Sequence, residues 1–410
     1  MLAADPLEAG RRAAAEACAG LAGSPPAFGV LFASPEFLGS AQALLDAVRE
    51  HAGPLPLIGC VAQAVVGGAR EVESGPAVSL WLAADLGPVE TFAMEFIPTP
   101  SGGVIGGYRF EPGQAGVHLM ICDPFTFPAD DLLAHLNQHV PGTVVMGGLA
   151  SGGLEQRQSL LFHDGRVLSQ GAVGAHLPQA QVRTLVSQGC RPVGAPFTVT
   201  QADGHVILEL GGRSPLDRLN ELAATQPARI RELLATGLHV GMVIDEYQAE
   251  RHQGDFLIRA VIGADPQSGA IAVGAEVEVG QTLQFQVRDA ESADDDLRRT
   301  LEREVAALGG RQAAGALLFT CNGRGSRLFS EPDHDAGLLA NLLGQIPVAG
   351  FFCAGELGPV GGRNYLHGFT ASITLFPQEA RSAHALPGGR HRRRIRRHRH
   401  GDGAEAGGRR

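Results

Sequence analysis

Lysine is missing altogether: all 33 basic side chains of this 410-residue chain are arginines. A GxxxxGK[ST] phosphate loop, a pyridoxal Schiff base and a Schiff-base aldolase each need a lysine amine, so none of them operates here. GxGxxG, HExxH and GxSxG are also absent, which removes the local signatures of dinucleotide enzymes, zinc proteases and serine hydrolases. Tyrosine (three) and tryptophan (one) are scarce beside 56 Gly and 25 Pro. That balance points to tight turns and close backbone approaches rather than to long helical bundles. The six cysteines, Cys18, Cys60, Cys122, Cys190, Cys321 and Cys353, never form CxxC, as expected of reduced thiols rather than a disulfide framework or structural zinc site. No run reaches the roughly 18 apolar residues of a membrane span. The first twenty residues break their alanines with Asp5, Glu8, Arg11, Arg12 and Glu16, unlike an export signal. The expectation is a cytoplasmic protein without a membrane span.

With 44% apolar residues, the chain can bury a large core, and its length suggests two globular units. The formal charge of −10 is uneven: residues 387–410 hold nine Arg and two acids, a local +7 that leaves the body at −17. So acidic a body argues against a nucleic-acid surface on the globular part. Only the Arg/His-rich tail offers weak grip on an anionic partner. With no aromatic for stacking and a Gly-rich end, it reads as a disordered extension.

Strand and helix signals alternate, giving an α/β fold class: two related lobes of mixed β-sheet with packed helices, built from repeated strand-helix-strand units. A helix over 37–50 carries Leu38, Ala41, Leu45 and Val48 on one face. Asp164-Gly165 predicts a tight hairpin turn within 158–177. Residues 255–279 read as extended segments broken at Asp265-Pro266 and Gly269. Ser214-Pro215 and Ser292 read as helix starts, the second helix placing Leu297, Leu301 and Val305 on one face and stopping at Gly309-Gly310. Asp294, Asp295 and Asp296 then complement a helix N-terminus rather than a metal. Neither a cofactor nor a metal site is expected. Three times an apolar strand, a helix and a second strand lead into a small-residue turn. These units run from Gly29 to Gln63, from Leu119 to Gly153 and from Leu317 to Glu356. Loops leaving strand ends are where open α/β sheets bind ligands.

At these segments a family resemblance emerges. Ile58-Gly-Cys60, Val145-Met-Gly-Gly-Leu-Ala-Ser-Gly152 and Ser187-Gln-Gly-Cys-Arg-Pro-Val-Gly194 resemble the FIST N-terminal domain and its junction. Phe319-Thr-Cys-Asn-Gly-Arg-Gly325, Gly355-Glu-Leu-Gly-Pro359 and Leu366-His-Gly-Phe-Thr370 resemble the blocks of the FIST C-terminal domain. The likeness covers about 28–376. It implies four segments: an N-terminal segment (1–24), a FIST N-terminal-like domain (25–212), a FIST C-terminal-like domain (213–378) and the tail (379–410). It also implies a sensory protein of the stand-alone bacterial type that binds a small molecule, with amino acids as the suggested class. The residues before the first strand are too few for an output module, so the output is expected to be a separate signalling partner protein or a conformational change.

Individual residues give candidate ligand contacts. Glu356 is a lone carboxylate in an apolar stretch and needs Arg324, Arg363, His367, backbone amides or a ligand to meet it. Either it forms a loop-bridging pair with Arg324, or it takes a ligand amine while Arg324 takes a carboxylate. Cys321 and Asn322, with His367 downstream, allow a Cys–His nucleophile, against the simpler reading of a buried core thiol. Gly355 belongs to the same strand-end turn as Glu356. Ser151, beside Gly148, either bonds a ligand or caps its turn. Arg324, Glu356 and His367 are expected to converge on one pocket. A sensor would show a polar pocket between the Gly-rich loops. A cysteine enzyme would show Cys321 against His367, and an interaction scaffold an exposed apolar patch without a pocket.

Overall fold

In the computed structural model, which describes residues 5–100, 102–244, 246 and 256–378, the chain begins with helix α1 (Pro6–Gly20). The Asp5 side chain caps it by accepting from the Leu7 amide. Strand β1 (Phe28–Ala33), helix α2 (Ala41–Ala52) and strand β2 (Leu57–Val61) realise the first expected unit. Ala41, Leu45 and Val48 are buried, while Leu38 falls in a separate short 3-10 helix, Pro35–Ser40, before it. β1 and β2 pair in parallel and are buried throughout, as parallel strands covered on both faces must be. Next come a short hairpin, β3 (Val65–Gly67) and β4 (Arg70–Val72), then β5 (Val78–Ala83) and the long hairpin β6 (Glu90–Thr99) and β7 (Gly102–Gly106).

The second parallel pair is β8 (Val117–Cys122) and β9 (Val145–Leu149), connected by α3 (Ala129–His139). Strands β10 (Leu161–His163) and β11 (Arg166–Leu168) flank the expected turn, with Asp164 at φ 53°. β12 (Ala172–Leu177) and β13 (Arg183–Ser187) follow. The next stretch holds β14 (Cys190–Pro192), β15 (Phe197–Asp203), β16 (Val206–Leu210), α4 (Pro215–Thr225), α5 (Ala228–Thr236), β17 (His239–Val243), β18 (Phe256–Ala264), β19 (Ile271–Val273) and β20 (Thr282–Arg288). Its sheet runs β14-β20-β15-β16-β19-β18-β17 and closes into a barrel through β17–β20. Val199, Ile207, Val240, Leu283 and Phe285 fill it. Ser214 caps α4 as expected, accepting from the Asp217 amide.

Helix α6 (Ala290–Ala307) corrects one reading. Its cap is Asp289, whose Oδ1 accepts from the Ser292 amide at 2.8 Å, so the cap lies three residues before the serine that looked like it. Leu297 and Leu301 are buried, but Val305 is 38% exposed. The third parallel pair is β21 (Ala313–Cys321) and β22 (Val348–Cys353), with α7 (His334–Leu343) between them. β23 (Glu356–Val360), β24 (Arg363–His367) and β25 (Ala371–Pro377) complete the described chain. The basic tail lies outside the described residues.

The three parallel pairs share one constraint. A Cβ on Gly59, Gly147 or Gly350 would lie 1.8, 1.8 or 1.9 Å from the carbonyl oxygen of Leu31, Met120 or Leu318, so only glycine fits in the middle of each second strand. The halves on either side of residue 212 also exchange strands. β3–β4 extends the sheet β13-β25-β21-β22-β3-β4, and β23–β24 extends the sheet β24-β23-β9-β8-β12-β6-β7. One core joins them: Phe32 packs on Phe351 with centroids 4.8 Å apart and on Phe319 at 6.5 Å.

Candidate functional site

The loops leaving β2, β9 and β22 meet and brace each other. Ser151 Oγ accepts from the Gln63 amide at 2.9 Å and donates to the Phe352 carbonyl. The Phe352 amide donates to Ala64, Leu149 to Gly355, and Ala354 to Leu149. Ser151 is thus committed to bracing the turn. Gly148 stands opposite Glu356 in the ladder, and a Cβ there would lie 2.4 Å from Cys353 Sγ. Gly355 presents its carbonyl to Leu149 rather than to an open site.

Beside this junction, the turn after β21 carries Arg324 into full burial. Its fork does not meet Glu356. Nε and Nη2 donate to Asp335 Oδ2 and Oδ1 at 2.7 and 2.8 Å, and the guanidinium lies 5.2 Å over Phe329. Asp335, in the first turn of α7, also accepts from Thr320 Oγ1 at 2.7 Å. Burial alone would push its carboxyl up, but the guanidinium and its hydrogen bonds hold it well below the usual range. The expected Arg324–Glu356 pair is therefore replaced by Arg324–Asp335, because the fork is already occupied in bidentate fashion.

Glu356 is fully buried, and its Oε2 accepts from the Thr370 amide at 3.1 Å and hydroxyl at 2.8 Å. Burial pushes its carboxyl up to about 8 despite those bonds. The Cys321 thiol lies beside this carboxyl, and burial followed by Glu356 pushes it up to about 12. His367, although opposite Glu356 in the β23–β24 ladder, turns its Nε2 to the Gly358 carbonyl at 2.9 Å, and burial lowers it to about 4. The Cys321–His367 nucleophile pair is not assembled, since the imidazole bonds a carbonyl and the thiol stays protonated. Nor do all three residues expected to converge do so. Arg324 and Glu356 share one electrostatic neighbourhood, while the His367 ring is engaged elsewhere.

Several residues that were not expected as ligand contacts complete the arrangement. Asp296 is buried and accepts from Ser187 Oγ at 2.7 Å and the Gln188 amide at 2.8 Å. It anchors α6 to the junction segment instead of serving the helix end. Gly189, at φ 65°, lies against Arg324: a Cβ there would sit 2.8 Å from Nη1. Arg288, at the end of β20, donates to the Gly323 carbonyl and covers the Phe369 ring at 4.5 Å. Phe369 adopts φ 66°, a strained value for a bulky residue, and meets His239 edge-on at 4.8 Å. The sequence signals for these were faint: a Gly inside Ser187-Gln-Gly-Cys190, and a Phe following Gly368.

Four buried polar atoms here have no hydrogen-bond partner among the described residues: Glu356 Oε1, Asn322 Oδ1, Arg324 Nη1 and Arg288 Nε. Two are oxygens and two are guanidinium nitrogens. No group of three or more His, Cys, Asp or Glu among the described residues is arranged to hold a metal. No helix among them is long and apolar enough to cross a membrane.

Comparison with known proteins places these features. The FIST N domain matches residues 27–213 and the FIST C domain residues 215–359. A protein of Mycobacterium tuberculosis is 53% identical over 370 residues, covering 89% of this chain and 96% of its own length. Another, from Mycobacterium bovis, is 51% identical over 372 residues, covering 91% and 96%. Both bear the name uncharacterized protein, so neither brings an activity with it.

Proposed function

Since this chain belongs to the FIST family, which is sensory rather than enzymatic, we propose that its C-terminal half binds a small polar ligand beside Glu356. Ligand occupancy is then the signal passed to a separate partner protein. One observation carries this reading: four unpartnered buried atoms, two oxygens and two guanidinium nitrogens, gather around the turn after β21. Leaving such groups unpaired costs roughly 1–3 kcal/mol each, and of the fifteen such atoms among the described residues these four lie around one turn. A molecule bearing both a donor such as ammonium and an acceptor such as carboxylate, as amino acids and related metabolites do, would satisfy the set.

The roles differ from those the sequence suggested. Glu356 would take the donor through Oε1, with Asn322 beside it. Arg324, its fork spent on Asp335, would offer only Nη1, and Arg288 would offer Nε. The Arg288–Phe369 stack lies over Gly323 and would form the cover. Because burial holds Glu356 protonated up to about pH 8, capture of an ammonium at neutral pH would release a proton.

Thermal-shift screening against amino acids and related metabolites tests the reading, because a ligand stabilises the state it binds by RT ln(1 + [L]/Kd). A ligand that raises Tm should lose about 1.5–3 kcal/mol of affinity in Glu356→Gln and in Arg288→Gln. Calorimetry in two buffers of different ionisation enthalpy should register the released proton. If no such compound shifts Tm, or if the shift survives both substitutions, the reading is wrong.

A further inference from the structure

The face of the barrel that meets Phe369 carries unpartnered groups beyond those around the β21 turn. Gln286 and Arg288 lie two residues apart on β20, so their side chains leave the same face of the sheet. His239 of β17 stands directly opposite Gln286 in the ladder, an arrangement that puts the two Cβ atoms roughly 4.5–5.5 Å apart on that face. Phe369 joins the set to the Glu356 side. Its ring meets the His239 ring edge-on at 4.8 Å and lies under the Arg288 guanidinium at 4.5 Å, and Arg288 in turn donates to the Gly323 carbonyl. The Gln286 side chain reaches over Gly241, two residues after His239, where a Cβ would lie 2.5 Å from Nε2.

His239 and Gln286 are 5% and 1% exposed. Each ends in a buried Nε2 without a hydrogen-bond partner among the described residues, and the two atoms have opposite needs. His239 Nδ1 lies 2.8 Å from the Gly237 carbonyl, which can only accept, so Nδ1 carries the proton and Nε2 of the neutral ring presents a lone pair. Burial lowers the pKa of this imidazole and so keeps it neutral. Gln286 Nε2 can only donate. One acceptor and one donor thus stand side by side, both withdrawn from water, next to an aromatic ring.

We propose that this cross-strand pair is a carboxamide subsite: the ligand held beside Glu356 carries a primary amide whose N–H donates to His239 Nε2 and whose carbonyl accepts from Gln286 Nε2. The proposal rests on the ligand site of the preceding subsection and narrows its class to amino acids and related metabolites with a side-chain amide. A primary amide presents a donor and an acceptor along one planar edge, the complement of the pair. A carboxylate of the same shape has acceptors only and sets one of them against the His239 lone pair. A methyl-ended chain leaves both buried atoms unpaired.

Calorimetry of the full chain with glutamine, asparagine, glutamate, aspartate and norleucine tests it. One of the two amides should bind about 10–100-fold more tightly than its acid counterpart and than norleucine. That preference should largely vanish in His239→Phe, which keeps an aromatic ring against Phe369, and in Gln286→Leu, with circular dichroism checking that both variants stay folded. In nitrogen NMR of the chain with isotope-labelled histidine, the His239 Nε2 resonance should move when the amide is added and stay in place with the acid. Amino acids that raise Tm without preferring the amide, or a preference that survives both substitutions, overturn the carboxamide subsite and leave the Glu356 site standing. If no amino acid binds, the Glu356 site itself fails, and propionamide alone decides the pair: a movement of the His239 Nε2 resonance that propionate does not cause supports the subsite, and its absence overturns it.

Discussion

Asp335 and Glu356 are both fully buried carboxyls near Arg324, yet the protein treats them in opposite ways. Asp335 receives both arms of the guanidinium and a threonine hydroxyl, so it stays ionised to low pH. Glu356 receives the two Thr370 bonds and only smaller help from Arg324 and the Cys321 thiol, so burial prevails and it stays protonated to about pH 8. Depth therefore does not set the charge of a buried acid. The number and sign of its partners do. One carboxyl holds the α7 start to the β21 turn, and the other keeps one buried oxygen, Oε1, without a hydrogen-bond partner among the described residues.

The sharpest way to break this contrast is to remove the shared cation. Arg324→Gln leaves Asp335 as a buried charge without its partner and should cost about 3–5 kcal/mol in urea unfolding, well beyond the loss in Glu356→Gln. Equal losses would mean that Glu356 leans on Arg324 as much as Asp335 does.

The pH profile separates the two acids next. Because the folded pKa of Glu356 is raised, its contribution is fully present below the unfolded value near 4.5 and is lost as pH rises through about 8. Asp335 is depressed, so its contribution is present above the unfolded value near 3.8 and is lost as pH falls below it. Glu71, pushed up to about 8 by burial and by Asp335, acts in the same direction as Glu356. Glu356→Gln should flatten part of the alkaline loss in denaturation midpoints measured from pH 5 to 9, and Glu71→Gln a further part. A profile unchanged by Glu356→Gln would show that this carboxyl is ionised after all.

A smaller effect probes the wall behind Arg324. Gly189→Ala meets both a positive φ and a contact with Nη1, so it should cost about 1–3 kcal/mol, felt at the Asp335 pair rather than at Glu356. The mildest test is alkylation of Cys321, which should be slow at neutral pH while the chain is folded and fast in urea, as expected of a thiol pushed up to about 12. Rapid native labelling would mean an open, ionised thiol next to Glu356.

Much of this arrangement was legible along the chain, and what was not has a physical reason. The three strand-helix-strand segments were readable from apolar runs on either side of a helical stretch, but not the close approach of Gly59, Gly147 and Gly350 to carbonyls of the neighbouring strand. The Asp164-Gly165 turn was readable because its chemistry is local. Arg324 and Glu356 stood out as charges in apolar surroundings, but their partners did not. Asp335 lies only eleven residues beyond Arg324, yet pairing depends on how α7 packs against β21. Asp296 looked like a helix-end charge because nothing local tells that Ser187 and Gln188 reach it from more than a hundred residues away. The ring of His367 faced a choice between Glu356 and a carbonyl on the same strand, and sequence carries no record of a side chain's rotation.

The exchange of hairpins between the halves has a consequence for how the chain is made. β3 finds its neighbour in β22, pairing Val66 with Gly350, so a segment synthesised early must wait for one that leaves the ribosome nearly three hundred residues later. At about 5–20 residues per second that delay is on the order of tens of seconds, during which the β3–β4 hairpin lacks its neighbouring strand. Arg70 and Glu71, whose partners Asp333 and Ala336 also arrive late, keep that early edge charged in the meantime. The same two residues that lock the finished sheet thus shield its unfinished half from neighbouring nascent chains.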